Sequence, residues 1–203
     1  MKKIMFNDKF GLTQAVLEGR KTQTRRTMLD LTAMTIQGRK KFLIAANYPK
    51  HEIDKHLSKF GETISPYKTG DIVAIAQSYK DCGAEAFYWK QTPGWTNKMF
   101  VKANLMPHHI KIERVRVERL QDISEEDCLK EGVCFHENPP ADHKYDPYTP
   151  WPIDIKPYRY DIDNEKYFHT ARFAYAYLID KIGGNGIWAA NPLVFAYDFA
   201  LID

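Results

Sequence analysis

The segment Gly19-Arg20-Lys21-Thr22-Gln23-Thr24-Arg25-Arg26 sets four cationic side chains and two threonines behind a glycine. Cations beside hydroxyls suit an anionic, nucleotide-like ligand. A solvated surface strand has the same composition. Other groups point less far. Cys134, His136 and His143 fit no structural zinc spacing, so no metal is expected. His108 and His109 precede a long alternating run, and His108 is a candidate for lining a ligand cleft. Trp89, Trp95 and Trp151 can stack bases or pin long loops onto a core. Arg114 with Arg116, and the cluster Arg39-Lys40-Lys41, can track phosphates or merely occupy wet faces. There is no Gly-rich phosphate loop and no Ser-His-Asp pattern, and no cofactor is expected.

These residues sit in a chain of 203 residues, a length that suits one domain and buries a core without disulfides or metals. Apolar content of 44% and aromatic content of 13% are those of a globular protein. A net charge of +3 is too small to mark a nucleic-acid binder, so the local clustering matters more than the total. Three cysteines at irregular spacing argue against a disulfide framework and for a reducing compartment, so the cytoplasm is expected. No apolar run approaches the length of a bilayer span, and no membrane association is expected. Met1 to Phe10 lacks the apolar stretch of a signal peptide. The oligomeric state stays open.

The elements that must position the basic segment follow from periodicity. Asn7 or Asp8 can cap a short helix carrying Leu12, Ala15 and Val16, with Gly19 just past its end. The Thr-rich stretch that follows reads as extended, with Lys21, Gln23 and Arg25 on one face and Thr22, Thr24 and Arg26 on the other. Lys50 to Phe60 suits a helix ended by Pro66. Ile72 to Ala76 reads as a buried strand. Residues 80–100 read as a loop or hairpin. Ile110 to Leu120 is the clearest strand, and its alternation slips phase at Glu113-Arg114, which predicts a bulge or bend. Ser124 caps a short acidic helix that closes at Gly132. Residues 137–163 hold six of the eleven prolines and read as an ordered loop. Glu165 to Ile182 is helical, stopped by Gly183-Gly184, and Leu193 to Ile202 is a final strand. The expectation is an α+β domain around a small, bent sheet or barrel.

Glycine-x-lysine-threonine-x-threonine-x-arginine after a short helix resembles the signature of the ASCH family, matched by Gly19, Lys21, Thr22, Thr24 and Arg26. Three further stretches are similar to ASCH proteins of phage and prophage type. They are Tyr67-Lys68-Thr69-Gly70-Asp71, Val115 to Asp127 followed by Glu131-Gly132, and Trp188-Ala189-Ala190-Asn191-Pro192 before an apolar strand. The likeness covers residues 1–26, 66–79, 104–134 and 168–203. It implies a single PUA-like β-barrel domain over 1–203 with flanking helices and insertions at about 27–65, 81–100 and 137–163. Two departures remove charge from the implied cleft. Ala76-Gln77 replaces an Arg-Glu pair, and Met106-Pro107-His108 replaces Met-Pro-Arg.

What the resemblance implies for function is binding of RNA or a modified nucleoside or nucleotide. Arg20, Thr22, Arg25, Arg26 and His108 are the expected ligand contacts. Some relatives are ribonucleases. Small bacterial relatives are amidohydrolases that deacetylate acetylcytidine, and the motif places their catalytic roles on Lys21, Thr24 and Glu131. A role as an interaction adaptor working through residues 137–163 is a third class. The chemistry is coherent: a hydroxyl becomes a nucleophile when a base takes its proton, and a buried lysine among cations is such a base. In a regular strand Lys21 and Thr24 sit on opposite faces, so a direct bond between them demands a turn or bulge. Glu131 either exchanges protons or holds Lys21 charged.

Overall fold

The structure is a computed structural model that describes residues 1–135, 144–145, 158–159 and 166–202. In chain order the elements that matter are β1 (Lys2–Ile4), α1 (Leu12–Leu17), β2 (Gln23–Thr27), α2 (Asp30–Ala45), α3 (Lys50–Ile64), β3 (Ile72–Ile75), α4 (Ala86–Trp89), β4 (His109–Arg119) and α5 (Glu125–Lys130). Four two-residue strands follow: β5 (Cys134–Phe135), β6 (Lys144–Tyr145), β7 (Tyr158–Arg159) and β8 (Lys166–Tyr167). The chain ends with α6 (Ala171–Gly183), α7 (Ile187–Ala190) and β9 (Leu193–Leu201).

Five strands form one mixed sheet in the order β1-β3-β4-β9-β2. The β1-β3 pair is parallel and the other three are antiparallel. The α+β class holds, and closure into a barrel does not. The outer strands β1 and β2 share no ladder. The reason is local: β1 is only three residues long, and the chain then turns into a short 3-10 helix, Asp8–Phe10, whose N-cap is Asn7. Side chains bridge the gap instead, since the Arg26 guanidinium at β2 donates to the Met5 carbonyl just beyond β1.

The predicted bulge is present. The β4–β9 register shifts between Ile112 and Arg114. One extra residue keeps Ile110, Ile112 and Val115 in the core, and the cross-strand neighbours Arg116 and Ala196 line up with Arg25 on the other side. The core joins Ala174, Tyr175 and Leu178 of α6 in one cluster with Ile4, Val73, Ile75, Phe195 and Tyr197 of the sheet. Each such large side chain contributes roughly 1.5–3 kcal/mol by leaving water.

Several elements differ from expectation. Region 27–65 contains two helices rather than one, and α3 runs on to Ile64. Region 81–100 is a string of short helical turns in which Tyr79 stacks on Trp89, their centroids 4.3 Å apart. The helix expected from Glu165 begins at Ala171, because Lys166–Tyr167 is committed to pairing with Lys144–Tyr145. Thr170 then caps it by accepting the Phe173 N–H. Most of 137–163, with His136, His143 and Trp151, lies outside the described residues.

The α2–α3 hairpin is seated on the C-terminal half of β4 through Gly61. A Cβ there would come within 2.1 Å of Val117 Cγ2. Val117 is β-branched and held in a strand, so it yields little. Gly61→Ala is expected to lose about 1–3 kcal/mol of stability in urea unfolding despite its better helix propensity. The double variant Gly61→Ala/Val117→Ala is expected to recover part of that loss.

Candidate functional site

The basic segment is threaded into the fold by backbone bonds. The Lys21 amide donates to Ala15 and the Thr22 amide to Lys130, while the Thr22 carbonyl accepts from Phe199. These contacts bring α1, α5 and β9 onto one short stretch. Ser124 accepts the Asp127 amide and starts α5. Its end is set by Gly132 at φ +99°, where a Cβ would sit 3.6 Å from Lys21 Cβ and 3.7 Å from Ala15 Cβ. That close approach delivers Glu131 to Lys21.

The pair is buried, with Lys21 2% and Glu131 3% exposed. Lys21 Nζ donates to Glu131 Oε2 at 2.5 Å and to the Glu131 carbonyl at 2.8 Å. Arg25 Nη1 reaches Glu131 Oε1 at 3.1 Å, so one carboxylate bridges two cations. Arg25 also pairs with Glu118 at 2.7 Å and Asp127 at 3.0 Å. Arg116 extends the network to Asp127, at 3.3 Å, and to Asp198, at 3.2 Å. Gln23 bonds Arg25 and Asp198. Lys21, Gln23 and Arg25 thus share a face, as alternation along an extended segment requires.

Burial pushes the Lys21 pKa down, with the Arg26 and Arg25 charges adding to it and the Glu131 carboxylate opposing. Arg25 moves the other way. Burial opposes its charge, but Glu131 and Glu118 outweigh that and raise its pKa. For Asp127, burial raises the pKa, and Arg116 and Arg25 more than reverse it.

A cavity of about 510 Å³ opens at the free edge of β2, between the end of β1 and α6. Because it lies at an edge, side chains from both faces of β2 reach it: Lys21, Arg25, Thr24 and Arg26 all line it, with Glu131 and Tyr175. Its remaining wall mixes apolar groups such as Phe6, Leu178 and Ile179 with the polar side chains of Asp8, Lys9 and Lys98. Thr24 is 4% exposed. Among the described residues neither Arg26 Nε nor the Tyr175 hydroxyl has a hydrogen-bond partner, although both atoms are buried. Burial, with the Glu131 charge, holds the Tyr175 pKa well above 10.0, so this phenol keeps its proton. Such orphaned donors in a cavity wall are groups that a ligand acceptor would satisfy. A volume of this size lies within the usual range for small-molecule sites.

Of the eight residues expected to form the site, Lys21, Thr24, Glu131, Arg25 and Arg26 come together here. Three do not. Arg20 turns to Glu18, 2.6 Å away, and to Cys134. Thr22 lines a separate cavity with Gln23, Arg114, Arg116 and Asp198. His108 lines a separate cavity with Ala76, Gln77 and Asp81. Asp8 borders both cavities and is tied to Lys98 at 2.7 Å. The direct Lys21–Thr24 bond is not present, because β2 runs against β9 without a bulge. Tyr175 is missed by the sequence reading, because nothing local distinguishes it from the other core positions of α6, such as Leu178 one turn on. No group of three or more metal-ligating side chains occurs among the described residues. Comparison with protein-family models, curated proteins and solved structures finds no match.

Glu131→Gln leaves two buried cations short of charge and is expected to cost about 3–5 kcal/mol in chemical denaturation. Asp127 supplies stability above the usual carboxylate range that is lost as pH falls through its lowered pKa. Asp127→Asn should therefore be less stable than the parent near neutrality and flatten the acid side of the stability–pH curve, read from urea midpoints.

Proposed function

We propose that the chain hydrolyses an acyl-amide bond of a small nucleoside-like substrate in the β2-edge cavity. The supporting observation is that Lys21, Thr24 and Glu131 line one cavity although Glu131 is 110 positions from Lys21. These are the three positions to which the ASCH resemblance carries amidohydrolase roles. In this reading the PUA-like barrel of that family is represented by an open sheet whose unpaired edge forms the pocket.

The steps use the chain's own groups. Lys21 acts as its free amine, the form that its burial favours. Nζ swings from Glu131 to the Thr24 hydroxyl and takes its proton as Oγ1 attacks the acyl carbon. Arg26 Nε and the Tyr175 hydroxyl, both without partners among the described residues, supply donors for the oxygen that gains charge. The carbon–nitrogen bond breaks as the Lys21 ammonium passes that proton to the departing amine, while the Glu131 carboxylate offsets the ammonium charge. Water then attacks the threonine ester and gives a proton to the Lys21 amine, which returns it to Thr24 Oγ1 as the ester bond breaks and the carboxylic acid leaves.

Extended RNA tracking has less support. Arg25 meets three carboxylates and Arg20 meets Glu18, so much of the segment's positive charge is already neutralised. Recognition of a base without turnover would use the same orphaned donors and the Phe6 ring.

Acetylcytidine incubated with the protein should yield cytidine and acetate by chromatography. Lys21→Met and Thr24→Val are expected to reduce kcat by about 10²-fold or more. Lys21 acts as a base when unprotonated, so kcat/KM should rise with pH and level off above its lowered pKa, short of 10.5. No turnover above the Lys21→Met control for acylated nucleosides would remove the proposal.

A further inference from the structure

The α2 helix has one face spent on the fold and an opposite face that is apolar and uncovered. Ile36 and Leu43 are buried against α3, with Ile53 and Leu57. On the other side Leu31, Met34 and Phe42 are 77%, 67% and 69% exposed. Helical spacing puts these three on one stripe with Gly38 near its middle. A Cβ at Gly38 would meet nothing within 4 Å, so the backbone is bare at that point. Three large apolar side chains around a bare patch are more than a scattering of surface hydrophobics.

The stripe complements itself in one arrangement. If two α2 helices lie antiparallel about a two-fold axis through position 36, Leu31 meets Phe42 of the second copy. Met34 then fills the gap over Gly38 of the second copy. The same register brings Asp30 to Lys41 of the second copy. Asp30 and Lys41 lie on one flank of the stripe, and flanks on the same side face each other in an antiparallel pair. Both are exposed, and neither has an ion-pair partner among the described residues. Three pairings, one apolar, one steric and one ionic, agree on the register to within a residue. A two-fold interface repeats each of them.

We infer that this face of α2 is a homodimer interface, with the two α2 helices antiparallel about Ile36. The β2-edge cavity shares none of the residues Asp30 to Phe42, so dimerisation leaves it open.

Sedimentation velocity on the full chain tests the inference. The wild type is expected to be a dimer in the micromolar range. Phe42→Asp is expected to sediment as a monomer with an unchanged far-ultraviolet circular dichroism spectrum. Asp30→Lys turns two attractions into two repulsions and should weaken the dimer by about tenfold at low salt. Asp30→Lys/Lys41→Asp should restore it. A monomeric wild type overturns the inference and leaves this face to a different protein. A dimer that survives Phe42→Asp places the interface elsewhere and overturns it too. A charge reversal that neither weakens nor, in the double variant, restores association overturns the antiparallel register.

Discussion

The Glu131 carboxylate, held between Lys21 and Arg25, is the contact on which the rest of the site depends. Taking three charges out of water is costly, and only good geometry with further hydrogen bonds offsets it. Here the offset comes from many elements at once. The strand β2 supplies Arg25 and the residues leading into it Lys21, while α5 supplies Asp127 and, as its C-cap, Glu131. Glu118 comes from β4 and Asp198 from β9. The network is therefore a joint between the end of α5 and three strands, and its members cannot be satisfied separately. It also sets the chemistry. The burial that makes the joint demanding lowers the Lys21 pKa and brings a proton-exchange role within reach.

The open edge of the sheet completes the arrangement. A ladder between β1 and β2 would close the barrel and fill the space where the cavity lies. The short β1, the turn at Asn7 and the long Arg26 side chain keep the two edges apart while still linking them. Tyr175 and Leu178 from α6 cover the space from one side. A partly apolar wall with a few orphaned donors among the described residues has the composition of a small-molecule site. The α2–α3 hairpin takes no part in this cavity and presents its own apolar face elsewhere.

What could be read from the sequence was local. The phase slip at Glu113 announced the bulge in β4, and strict alternation placed Lys21, Gln23 and Arg25 on one face. The cap at Ser124 and the stop at Gly132 were visible as residue types in position. Non-local features were not visible. The meeting of Lys21 with Glu131 was accessible only through family likeness, since no periodicity relates residues so far apart. The three carboxylates around Arg25 come from two distant elements, so Arg25 read as a free ligand contact when it is largely committed. The α2 helix escaped because its apolar residues lie on both faces and blur the period. Whether β1 and β2 pair is a tertiary outcome that neither strand encodes alone. His108 and Gln77 are close to the basic segment by motif, yet they face a different cavity.

The account turns on Lys21 being altered by burial beside Glu131. The most direct measurement is a pH titration of the lysine side chains by carbon and nitrogen NMR, with Lys21→Arg used to assign the Lys21 signal. The account predicts that Lys21 titrates below 10.5 and separately from the exposed lysines. A Lys21 signal that titrates with the surface lysines would contradict it, and would leave the pair as a structural joint without a catalytic base.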